Sequence, residues 1–129
     1  MAQIKIYALK THLDRVKAEL SNVIHSCVVE MLQVPEDKRT QRFFGLDPSD
    51  FMYPPGRSEQ YTIIEVSMFE GRTIETKKAF IRLLFDKLWR ELQIAPNDVE
   101  ITIFETPRHN WGIRGATGDE LNLNYRVDV

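Results

Sequence analysis

The stretch SMFEGRT, residues 67–73, places an arginine where an apolar run ends and a helix signal begins. Arg72 follows Glu70 and Gly71, and Thr73 supplies the kind of side-chain oxygen that opens helices. A guanidinium at a strand-to-helix turn can grip a carboxylate with two parallel hydrogen bonds, beside helix N–H groups that also favour anions. The competing reading is a turn arginine paired with Glu70 or Glu75, worth under about 1 kcal/mol at a surface. VPEDKR, residues 34–39, sets Lys38 and Arg39 in a comparable loop. Arg39 is a second candidate for a carboxylate, whereas Lys38 reads as a solvated loop charge. In PRHNWG, His109 can exchange a proton near neutral pH or stand exposed. Trp111 either walls an apolar pocket or packs the tail onto a sheet.

Other chemistries lack their residues. No CxxC, HExxH, acidic calcium loop or nucleophile elbow occurs, so no metal or cofactor is expected. His12 and His25 fall on the polar side of a helix and are expected to be exposed, while the lone Cys27 sits at apolar spacing and is expected in the core. A net charge of −2 argues against a nucleic-acid surface. Lys77, Lys78, Arg82, Lys87 and Arg90 are interrupted by acids and read as the solvated side of a helix. No run approaches the roughly 20 apolar residues of a membrane span, and MAQIKIYAL lacks a signal-peptide core. A soluble cytoplasmic protein is expected.

The elements that position these residues come from an internal repeat. IKIYAL from Ile4 matches IEVSMF from Ile64, both alternating as half-buried strands do. Leu20, Val23, Ile24, Val28 and Leu32 fall on Phe80, Leu83, Leu84, Leu88 and Leu92, one apolar helix face in each copy. LQVPED and LQIAPND close the two helices, and TQRFF and EITIF follow as second strands. Thr11 with Asp14 reads as a capping box for the first helix and Thr73 as the cap of the second. The expected fold is α+β in a single domain of 129 residues: β-α-β units over about 1–46 and 61–106, then a tail over 107–129. The strands form a four-stranded sheet with both helices on one face. LNLNYRV adds a short C-terminal strand that needs an edge to pair with.

VPEDKR after the first helix, GRT before the second and Trp111 after the fourth strand, in that order, resemble the tautomerase superfamily. Within it the chain is most similar to the malonate semialdehyde decarboxylase-like branch, which holds both units in one polypeptide. The resemblance covers nearly the whole chain. It implies a homotrimer with pockets at the N-terminal ends of the first strands, and a small carboxylate such as a 2-keto or enol acid as ligand. It also implies proton transfer by an N-terminal proline exposed when the initiator methionine is lost. Here Ala2 follows Met1. Ala2, once Met1 is removed, offers a primary amine with an ordinary pKa of about 7.7–8.0, so roughly a tenth would be neutral at pH 7. Arg72, Trp111, Arg39 and His109 are the expected substrate-binding residues.

Two other positions depart from the branch. The aspartate of its V-P-E-x-D-R phrase is Lys38, with Asp37 one residue earlier, and the first arginine of R-x-R-T is Glu70. Decarboxylation is therefore not expected. The reading is a keto–enol tautomerase-like isomerase, the alternative a trimeric carboxylate-binding protein that has lost its base.

Overall fold

The computed structural model describes all residues 1–129. Strand β1 (Ala2–Leu9) turns Ala2, Ile4, Ile6 and Ala8 into the core, and β3 (Thr62–Phe69) does the same with Ile64, Val66 and Met68. The two strands share one burial pattern along their length. Each is followed by a helix and a parallel partner: α1 (Lys10–Leu32) leads to β2 (Gln41–Leu46), and α2 (Ile74–Leu92) leads to β4 (Val99–Thr106). The sheet order is β2-β1-β3-β4, with β1 and β3 antiparallel at the centre. That central pairing relates the two β-α-β units by an approximate twofold. It also brings the start of β1 beside the end of β3, Ala2 opposite Met68.

Both helices bury their apolar faces in one cluster with the same face of the sheet. Leu20, Ile24 and Leu32 of α1 meet Phe80, Leu84 and Leu88 of α2 there, each worth about 1.5–3 kcal/mol on burial. Cys27 is buried among them. Both helices end on a left-handed glutamine, Gln33 and Gln93, with the same φ of 55°. Thr73 caps α2 by accepting from the Thr76 N–H. No helix is long and apolar enough to cross a membrane.

Three expectations are corrected. The first helix begins at Lys10 behind Leu9, without a side-chain cap, and Asp14 ion-pairs with Lys10 at 2.9 Å instead of closing a capping box with Thr11. His12 and His25 are both buried. His25 is drawn in because its Nε2–H donates to the Glu36 carbonyl at 2.7 Å, which anchors the loop after α1. The segment LNLNYRV forms no ladder. The tail's strands are instead the small hairpin β5 (Gly112–Ile113) and β6 (Ala116–Thr117), turning through Arg114 and Gly115, both at positive φ as a primed two-residue turn requires.

Candidate active site

At the shared end of β1 and β3, the chain leaves Phe69 and turns at Gly71, whose φ of 135° is open to glycine and not to other residues. The turn aims Arg72 inward, where it is only 4% exposed. Its Nε and Nη2 both donate to the Leu32 carbonyl, at 3.2 and 2.8 Å. Arg72 thus satisfies an orphan carbonyl at the end of α1 and sets a cation against the negative end of its dipole. It pairs with neither Glu70 nor Glu75, so the surface-turn reading fails. The two-armed grip is also reduced, because only Nη1 remains without a partner, and it is buried. Tyr125 of the tail stands near, and its hydroxyl has no partner either.

The amino group of Met1 enters this environment. Burial first, then the charges of Arg72, Arg108 and Lys38, push its pKa down from 8.0 to about 5. An amine in that state is neutral at pH 7 and has a free lone pair. It faces a cavity of about 270 Å³ lined by Met1, Lys38, Arg114, Asn122, Asn124 and Tyr125 among others. A wider depression of about 590 Å³ runs along α1 past Asp14, Lys17 and Phe43 but holds none of these groups. The chemistry singles out the smaller cavity.

The anticipated residues separate here. Ala2 is buried in β1, one residue inward from the amine. Lys38, read as a loop charge, instead lines the cavity. Arg39 turns outward to α1, donating from Nη1 to Asn22 Oδ1 at 2.7 Å and Ser21 Oγ at 3.1 Å. His109 is exposed on its loop. Trp111 donates from Nε1 to Thr106 Oγ1 at 2.7 Å and meets Phe69 edge-to-face at 5.1 Å, pinning the tail to the end of the sheet. Arg108, Arg114 and Tyr125 were missed. Arg108 lies over the Phe69 ring at 5.4 Å and donates to the Gly118 and Leu121 carbonyls, so it braces the tail while charging the site. The only sequence signal for these three was the recurrence of arginine along the tail, with a single tyrosine near its end.

The site thus sets a buried, neutral amine among three cations at one end of a duplicated β-α-β sheet. The family model described as tautomerase enzyme matches residues 38–114. A probable tautomerase, YusQ of Bacillus subtilis (strain 168), is 30% identical over 98 residues, 72% of this chain and 77% of that protein. The 2-hydroxymuconate tautomerase of Comamonas testosteroni is 35% identical over 57 residues, 44% of this chain and 90% of that shorter protein. Among solved structures, a malonate semialdehyde decarboxylase inhibited by 3-bromopropiolate is 28% identical with a TM-score of 0.71, covering 85% of this chain and 87% of that one. A native fused 4-OT, at 23% identity, shares the fold with a TM-score of 0.80 over 92% and 98% of the chains. Other fused 4-OT neighbours are trimers. The chain belongs to the tautomerase family.

Proposed function

We propose that the protein is a keto–enol tautomerase of small 2-keto or enol acids, using the amine at the start of β1 as its base. The observation that carries this is the Met1 amino group, lowered to about 5 by burial and three cations. Where Met1 is removed, Ala2 presents the amine one residue further into β1. The ammonium of Lys38 on the cavity wall holds the substrate carboxylate, and the buried guanidinium of Arg72 adds its charge from behind the amine. The neutral amine takes the proton of the enol hydroxyl, and the resulting ammonium returns a proton to the adjacent carbon, giving the ketone. Cations that depress the amine's pKa also make its conjugate acid a ready donor, which suits a step that must both take and give.

Intact-mass analysis fixes which residue bears the amine, and an enol–keto assay with an aryl pyruvate then tests the chemistry. Turnover that collapses in Arg72→Ala supports the reading. Turnover no faster than buffer at every pH overturns it. In that event the second reading takes its place, a carboxylate-binding protein without a working base. The observation favouring that reading is the tail itself, since Asn122, Leu123, Asn124 and Tyr125 wall the cavity.

A homotrimer is part of the proposal. Trimeric neighbours support it, as does the alternation of half-buried and exposed residues along 121–129 in the absence of any ladder. The open face of the sheet adds to the case, presenting Tyr7 stacked on Phe44 at 4.8 Å and a Phe104 that is 48% exposed.

A further inference from the structure

The approximate twofold that creates the amine site has a second end, where β1 finishes and β3 begins. Counting from the aligned strands, Gly71 and Arg72 correspond there to Thr11 and His12. His12 is as deeply buried as Arg72, at 3% exposure, and its Nε2 has no hydrogen-bond partner. A buried imidazole nitrogen without a partner forgoes about 1–3 kcal/mol. The His12 side chain lines a cavity of about 280 Å³, close in size to the one at the amine, with Nε2 itself buried behind the surface.

The walls of this cavity are entirely polar: Thr11, His12, Arg15, Ser58, Glu59 and Gln60. One wall is built into the fold. The buried Asp98 accepts from the Ser58 N–H at 2.7 Å and the Ser58 hydroxyl at 2.6 Å, and Ser58 Oγ in turn accepts from the Gln60 N–H at 3.1 Å. Arg15 and Glu59 bring opposite charges, and neither takes part in an ion pair. Burial, then Arg15, lowers the His12 pKa, with Asp98 opposing, so the ring is mainly neutral at pH 7 and Nε2 can accept. Two unpaired charges of opposite sign and a neutral acceptor complement a ligand that carries both charges itself. A simple anion would face Glu59, and a simple cation would face Arg15.

We propose that this cavity is a second ligand site, distinct from the amine site, for a small zwitterionic α-amino acid. Arg15 takes the carboxylate and Glu59 the ammonium, and a small shift of the His12 ring brings its buried Nε2 onto the ammonium as a third contact. The absence of apolar lining suits a short polar side chain and excludes large apolar ones.

The test uses the full chain labelled with ¹⁵N-histidine and titrated at pH 7 with L-serine, following the ring nitrogens of His12. Acetate and ethylamine serve as half-ligands. Saturable movement of the His12 signals by serine, with at least roughly tenfold weaker response to either half-ligand, is expected from the loss of one charge-assisted contact. Arg15→Ala should weaken serine binding roughly ten- to a hundredfold, and because Arg15 is exposed this variant should fold. Arg72→Ala should leave serine binding unchanged, separating this site from the tautomerase reading. No saturable change up to the solubility limit of serine, equal responses to acetate alone, or loss of binding in Arg72→Ala would each overturn the proposal.

Discussion

Arg72 serves two purposes with one guanidinium, and its substitutions should reveal both. Arg72→Ala strands the Leu32 carbonyl in the core, a cost of about 1–3 kcal/mol, and also removes the cation nearest in effect to the amine. Thermal melts should report the first loss. Arg90→Ala, which breaks only an exposed pair with Asp86, should change stability by less than about 1 kcal/mol. Lys38→Ala leaves the Leu32 carbonyl paired, and its effect on the amine can be read from the pH–rate profile apart from any loss of substrate binding. Removing a cation stabilises the ammonium, so the amine's pKa must rise from about 5 towards 8.0. The acid limb of the pH–rate profile for aryl pyruvate should move to higher pH by the same amount. A limb that stays in place would remove Lys38 from the site. Ala2→Pro, in protein shown by mass to have lost Met1, offers a secondary amine at the same place and should raise enol–keto conversion above the parent.

At the scale of elements, Gly71 holds the tail against the sheet. A Cβ there would meet the Val127 carbonyl oxygen at 3.1 Å, on a backbone whose φ of 135° already disfavours a side chain. Gly71→Ala should cost about 1–3 kcal/mol and speed amide exchange across 121–129 while leaving the β1–β3 ladder protected. Uniform exchange along the chain would contradict that. The repeat was legible because each copy had to solve the same packing problem: strands that alternate, a helix face at helical spacing, and a proline soon after the last apolar residue. The start of α1 was not legible, since a Lys10–Asp14 pair across one turn permits an earlier start than the capping pattern suggested. Nor was the burial of His12 and His25, because a polar ring enters a core when its surroundings admit it, and periodicity is blind to that. Of the proposed site, the sequence pointed to Arg72 and to an amine at the start of the first strand. Lys38, Arg108 and Arg114 come from separate loops, and folding alone gathers them.

For the whole molecule, two groups set the direction in which stability responds to pH. Met1 holds fewer protons folded than unfolded between 8.0 and about 5, and His12 is lowered from 6.5 in the same sense. Each group's contribution is complete above its unfolded pKa and is lost as pH falls through the folded one. Urea midpoints should therefore fall from pH 8 to pH 5, and a chain acetylated at Met1 should lose the part of that slope nearest pH 8. An unchanged slope after acetylation would place the amine in water. Assembly is tested on the open face of the sheet. Phe104→Glu places a charge where the proposed trimer buries an aromatic ring, and sedimentation equilibrium should show its dissociation at concentrations where the parent remains associated. A parent that is itself monomeric would remove the trimer from the account.

The placement of the Met1 amine governs how the protein can be handled. A purification tag joined ahead of Met1 turns the amine into an amide, which has no basic lone pair, and its linker must leave past Lys38 and Tyr125. Such a fusion should fold, since the β1 ladder starts at Ala2, yet give no turnover. An inactive tagged preparation would then describe the linker, and cleavage that frees the amine at the start of β1 should restore activity.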